Sequence, residues 1–331
     1  MSNDRVAGFA QRFPLVLVAS GVVLYSTGPI MLQASSLSGP AFSFWRLLIG
    51  AVLLTSLAAV GARRRHASVL PGREGRRWTV IAGVCFGVHQ LLFMTAVKLT
   101  SVVDVSLMNA LAPVATALGA WWLFRERPGP RFFAWSALAI GGGAWLAVQA
   151  SGPTGNPLGM AMAIANVVCF AGFFLSSKRG REHVDVMPFL AGVMTVGVLL
   201  VGVFVAMTGV DVGSATRTDL LLAFGVAAGP GALGHFVMTW PLRWVPANIP
   251  PVMRLAQPAL SGVLALLILG EPLGWVHVAG GLVVVVGAAG AVLSRDGRAL
   301  QRAAREGAGL PVGQTTAISL STSRALRTPT G

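Results

Sequence analysis

Two short stretches decide how this chain is read. Leu111-Ala112-Pro113-Val114 leads to Glu126, thirteen residues after its proline, and Ala256-Gln257-Pro258-Ala259 leads to Glu271 at the same distance. The prolines lie 145 residues apart. The same offset carries Tyr25 onto Phe170, Lys98 onto Arg243 and Gly142 onto Gly287. Residues 5–150 therefore overlie 150–295 with little or no net insertion. Self-similarity on this scale marks an internal structural repeat, a common feature of transporters.

Composition says what the repeat is made of. The chain has 331 residues, of which 54% are hydrophobic and 11% charged, with a mean hydropathy of +0.73. Soluble domains carry roughly 25% charged residues, so a soluble enzyme is excluded as the leading reading. A spanning helix needs about 20 mostly apolar residues. Ten such runs are found, at 14–35, 41–61, 78–98, 101–124, 131–150, 157–177, 188–209, 219–241, 246–270 and 273–294. They are continuous rather than alternating, which argues against a strand-built barrel. The first run is too long for a cleavable signal and is read as a span. Loops such as 99–100 and 271–272 leave no room for an extramembrane domain.

Orientation follows from Lys and Arg in the short loops. With the N-terminus inside, 21 of the 25 basic residues fall on the cytoplasmic side; Lys98 and Arg217 fall outside, and Arg46 and Arg254 lie within spans. The net charge of +14 is thus a topology signal and a match to anionic lipid, not a nucleic-acid surface. The expected fold is an all-α membrane protein of ten transmembrane helices in two five-helix repeats. An odd number of spans per repeat inverts the second against the first. The expected organisation is 1–150, 151–295 and a cytoplasmic tail at 296–331, Ser/Thr-rich from Thr315 and expected to be disordered. Cys85 and Cys169 lie in apolar runs and read as small buried hydrophobes. No metal-ligand cluster or phosphate-cradling loop is found, so neither a metal nor a cofactor is expected.

Further residues carry a family resemblance. Phe44-Trp45-Arg46-Leu47-Leu48, then Ala96-Val97-Lys98-Leu99-Thr100-Ser101 with Leu111-Ala112-Pro113-Val114 and Arg125-Glu126-Arg127, resemble the helix signatures of EamA-type transporters in the drug/metabolite transporter superfamily. Ala256-Gln257-Pro258-Ala259 and Gly270-Glu271-Pro272 repeat the pattern. The resemblance covers roughly residues 14–295. It implies ten helices and transport of a small metabolite across the cytoplasmic (inner) membrane, commonly efflux of amino acids or related compounds. An enzyme is not expected; the alternative is a membrane-embedded enzyme or sensor without transport activity. The oligomer is left open as monomer or homodimer.

Polar residues deep in a span are costly and usually face the bundle interior. The repeat offset pairs Gln90 with His235 and Asn109 with Arg254, and Gln257 shares a helix face with Arg254. Tyr25, Gln90, Asn109, Phe170, His235, Arg254 and Gln257 are the expected substrate-binding residues. Interhelical hydrogen bonding is the alternative for Gln90 and Asn109, and packing for His235. Arg254 lies about nine residues inside its run, roughly 13 Å deep at about 1.5 Å per residue. A central arginine costs about 2.5–3.5 kcal/mol on insertion scales, so it calls for a carboxylate, backbone carbonyls or a bound anion. The apolar part of a carboxylate substrate is expected against Tyr25 and Phe170. Asp104 and His235 are the candidates for proton coupling. Gly229, Pro230 and Gly231 form the candidate hinge. Arg46 is expected to snorkel from the outer edge of its span, and His89 to face away from Gln90.

Overall fold

The structure is a computed structural model that describes residues 14–65, 72–99, 105, 109, 112–124, 129–150, 156–243, 245, 249–269, 275, 278–280, 282–283, 286–287 and 290. Among them, all regular structure is helical. The first helices are α1 (Pro14–Gln33), α2 (Gly39–Arg65), α3 (Arg73–Leu99), α4 (Ala112–Phe124), α5 (Pro130–Ala150), α6 (Pro157–His183) and α7 (Val186–Thr208). The next span is composite: α8 (Arg217–Val226), a π-helical stretch (Ala227–Gly234), α9 (His235–Thr239) and a 3-10 turn (Trp240–Arg243). The one after is also broken, into α10 (Ile249–Met253), a 3-10 turn (Arg254–Ala256) and α11 (Gln257–Leu269).

Six of these helical rods are long and apolar enough to cross a membrane: Pro14–Gln33, Gly39–Arg64, Arg73–Leu99, Ala161–His183, Val186–Thr208 and Arg217–Leu242. The protein is a multi-pass membrane protein. Most of the run at 273–294 and the whole tail at 296–331 lie outside the described residues. Several helices outrun the apolar runs that announced them. α2 reaches Arg65, α3 starts at Arg73 and α6 continues to His183. The added turns carry charged residues, among them Arg63 and Arg64 on α2, Arg73 and Glu74 on α3, and Arg179 and Glu182 on α6.

Helix ends follow local chemistry. The Asn156 side chain accepts from Leu158 N at 2.9 Å, with Pro157 opening α6. Thr216 and Asp219 form a reciprocal capping box on α8. Gly209 closes α7 with φ 65°, the left-handed conformation that suits glycine.

α3 stands at the centre, packed most extensively against α6 and α7, while α2 packs on α7. α1 lies against the π-helical stretch and α11. Membrane helices approach closely where residues are small. A Cβ on Gly39 would stand 2.6 Å from the Thr95 backbone, and one on Gly87 only 3.1 Å from Gly197 Cα. The outer surface carries exposed Val52, Val60, Val80, Val84, Leu199, Val203, Met207, Leu221 and Leu233. Such an apolar belt suits lipid rather than water.

One end of the bundle is tied by polar contacts. Lys98 Nζ donates to Ser35 O at 2.7 Å, and Trp45 Nε1 to Val212 O at 2.9 Å. The Asp219 carboxylate accepts from Ser35 Oγ (2.7 Å), Ser36 N (2.8 Å), Ser36 Oγ (2.8 Å) and Thr216 Oγ1 (2.6 Å). The other end carries the exposed Arg63, Arg64, Arg73, Arg76 and Arg77 and the Arg179–Glu182 ion pair at 3.2 Å. Gly72 and Gly213, both exposed, mark opposite ends. In a Cys85→Ala/Cys169→Ala background, Gly72→Cys and Gly213→Cys should label with a membrane-impermeant maleimide from opposite sides. Labelling of both from one side would refute the packing.

Candidate functional site

Proline determines where the helices open. Pro29 has no N–H, so the Tyr25 carbonyl four residues earlier lacks its helical donor. Gln257 Nε2 supplies one at 3.2 Å, and Ser261 Oγ donates to the neighbouring Ser26 carbonyl at 3.1 Å. Two backbone carbonyls of α1 are thus served by side chains of α11. Pro230 does the equivalent in the eighth span. There the ladder shifts to a π register, with His235 N–H donating to the Pro230 carbonyl five residues back. The two disrupted turns face each other: a Cβ on Gly28 would lie 3.6 Å from the Pro230 ring.

Between them is a cavity of about 50 Å³, room for a few waters at roughly 10–15 Å³ each. α1 contributes Tyr25 and Pro29, α2 Arg46, α3 His89 and Gln90, and α6 Phe170. Pro230, His235, Arg254 and Gln257 enter from the eighth and ninth spans, and Gly28, Phe93, Met94 and Val226 fill the rest of the wall. Six of the seven expected binding residues meet here. Asn109 stands behind the wall: Asn166 Nδ2 donates to its Oδ1 at 2.7 Å, and Asn166 Oδ1 accepts from His89 Nδ1. Asp104 lies outside the described residues.

The polar groups are ordered by short contacts. Tyr25 Oη and His235 Nδ1 share a hydrogen bond of 2.7 Å. The imidazole of His235 meets Phe86 edge-on at 4.7 Å and Phe173 at 5.4 Å. Arg254 Nε donates to Gln257 Oε1 at 3.1 Å. Its Cζ lies 4.2 Å from the Phe170 ring centroid and 5.0 Å from that of Tyr25. These distances are within cation–π range. The guanidinium thus occupies the aromatic surface where the sequence placed the apolar part of a substrate.

Two further residues belong to the cavity that sequence reasoning set aside. Arg46 does not snorkel. It is only 4% exposed, eight residues into the tube that starts at Gly39, and its Cζ lies 5.6 Å from the Phe86 ring centroid. Its Nε and Nη1 have no hydrogen-bond partner among the described residues, and neither does Gln90 Oε1. His89 lines the cavity beside Gln90 because α3 is enclosed on several sides, so adjacent residues are both buried. The pairing of an FWR triplet with an HQ doublet in a central span was the available signal. Charge balance gives the site its character: two guanidiniums line it, and no carboxylate does among the described residues.

The candidate hinge occupies the π-helical stretch. A Cβ on Gly231 would stand 2.7 Å from the Val226 carbonyl and 3.5 Å from Arg46 Nη2, whereas Gly229 faces open space. Alanine normally stabilises a helix by about 1 kcal/mol over glycine. Gly229→Ala should therefore leave thermal stability in detergent unchanged or higher, while Gly231→Ala should lower it. Equal behaviour of the two variants would contradict this geometry.

Comparison with known proteins gives three findings. The profile of the EamA-like transporter family matches residues 12–148 and again residues 157–293. A Bacillus subtilis (strain 168) protein called "Uncharacterized transporter YwfM" is 26% identical over 262 residues, spanning 77% of this chain and 86% of that protein. A solved crystal structure aligns with a TM-score of 0.69 at 19% identity, over 85% of this chain and 96% of the other, a likeness of fold.

Proposed function

The chain belongs to the EamA-like transporter family, and from that premise we propose that it moves a small carboxylate-bearing metabolite, an amino acid or a related compound, out across the cytoplasmic membrane. Membership and the transporter-named relative point to a membrane transporter rather than an enzyme. The observation that carries the substrate reading is Arg254. It lines a membrane-embedded cavity, and among the described residues its hydrogen bond goes to the neutral Gln257. A carboxylate would pair with it at a net gain that no neutral substrate offers.

Ten helices in two inverted repeats, with both termini cytoplasmic, suit this function. The family profile matches two segments of equal length. α1 packs on the eighth span and α3 on α6, a relation expected of repeats exchanged by a pseudo-twofold axis. The cavity draws on both segments, and binding at such an interface supports alternating access. It is too small for a metabolite as it stands, so loading requires the spans around it to part. The turns at Pro29 and Gly229-Pro230-Gly231 are where that flexing would occur, since neither depends on a complete helical ladder.

The test is counterflow of radiolabelled carboxylates and amino acids in proteoliposomes containing the full chain. Wild-type protein should carry a carboxylate compound, and Arg254→Gln should reduce its flux at least tenfold while remaining folded by size-exclusion chromatography. Undiminished flux in a folded Arg254→Gln variant would remove the anion site. If transport is proton-coupled through Asp104 or His235, Asp104→Asn or His235→Gln should flatten its pH dependence. An unchanged pH profile in both would leave a facilitator.

A further inference from the structure

Arg254 accounts for only half of the charge in the cavity. Arg46 enters from α2 against Phe86, the ring that meets His235 edge-on, and its buried Nε and Nη1 have no partner among the described residues. The two guanidiniums lean on different rings, Phe86 for Arg46 and Phe170 for Arg254. Both line the one cavity, Arg46 from α2 and Arg254 from the ninth span, so its described lining carries two positive charges. Like charges sharing a low-dielectric site repel strongly. An occupant with one negative group would neutralise one pole only.

The lining excludes as much as it selects. With no carboxylate among the described lining residues, an α-ammonium would enter a doubly positive site with no anionic acceptor. The aromatic faces of Tyr25 and Phe170, which could otherwise take an ammonium, already hold Arg254. Gln90 Oε1, buried and unpartnered among the described residues, is a neutral acceptor and does not offset the repulsion of two guanidiniums on an ammonium.

We propose that the substrate is a small dicarboxylate-type dianion without an ammonium group, with one acid group on Arg254 and the other on Arg46. This rests on the carboxylate-transport reading and narrows it, from amino acids and related compounds to the related diacids that lack an ammonium, by assigning Arg46 as the second anion contact. Arg46 then sets specificity between one and two acid groups.

Equilibrium dialysis of the purified full chain with glutarate, monomethyl glutarate and glutamate separates the possibilities. The three probes share a five-carbon backbone and differ in one charge or in one ammonium. Wild-type protein should bind glutarate at least tenfold more tightly than either of the others. In Arg46→Gln the preference of glutarate over its monomethyl ester should fall below threefold. Arg46→Lys, which keeps the charge without the planar fork, should retain a preference above threefold and serves as the folding control. Equal binding of glutarate and monomethyl glutarate by wild-type protein overturns the proposal. A preference that survives in Arg46→Gln overturns it too. In both cases loss of monomethyl glutarate binding in Arg254→Gln would show that the single-carboxylate reading still stands. Tightest binding of glutamate would overturn the exclusion of the ammonium. Failure of a folded wild-type protein to bind any of the three would overturn both readings together.

Discussion

A guanidinium inside a hydrocarbon layer has to be neutralised or hydrated, and two of them line this bundle's cavity. Arg46 and Arg254 reach one cavity from different spans, and what surrounds them follows from that requirement. Phe86, Phe170 and Tyr25 offer ring faces; Gln257 offers an amide oxygen. None of these carries a full negative charge. Breaking a buried ion pair by removing one partner costs about 3–5 kcal/mol. Two cations without a carboxylate partner among the described lining residues are the ground for the proposed anion site.

The second constraint is the backbone. Every N–H and C=O in a membrane span must find a partner, and proline removes a donor. Pro29 and Pro230 therefore generate both the opening and its repair. Gln257 and Ser261 satisfy the Tyr25 and Ser26 carbonyls, and the π register absorbs the deficit around Pro230. These repairs join α1 to α11, so the ninth span is tied to the first through polar groups that also face the cavity. Gln257 does both jobs at once, with Nε2 on the Tyr25 carbonyl and Oε1 accepting from Arg254. The opposite influence is the Asp219 cluster, which fastens the loop after α1 to the start of α8 at one end of the bundle.

Much of this was legible in the residues. The offset of 145 aligned Tyr25 with Phe170 and Gln90 with His235, and these four side chains line one cavity. Continuous apolar runs located the six long rods because hydropathy measures the quantity the bilayer selects. What sequence could not supply was the direction of a side chain on a helix buried all round. His89 was assigned to another face on helical spacing, yet α3 is enclosed by α6 and α7 and has little lipid-facing surface at that level. Arg46 was placed at the rim by counting from the run's edge at 41, but α2 starts earlier, at Gly39. Depth on a span says nothing about whether a long side chain turns outward to the headgroups or inward to a cavity. The extent of the helices was also underestimated at 65, 73 and 183, because charged turns at the membrane surface carry no hydropathy signal.

The most direct test of this account is to locate the anion itself. Crystals of the full chain grown with a bromine-substituted dicarboxylate, measured at the bromine absorption edge, would show where the ligand's heavy atom sits. The account predicts an anomalous peak inside the cavity, with carboxylate oxygens within hydrogen-bond distance of both Arg46 and Arg254. A fully occupied peak at the arginine-rich end near Arg73 and Arg76, with the cavity holding none, would contradict it.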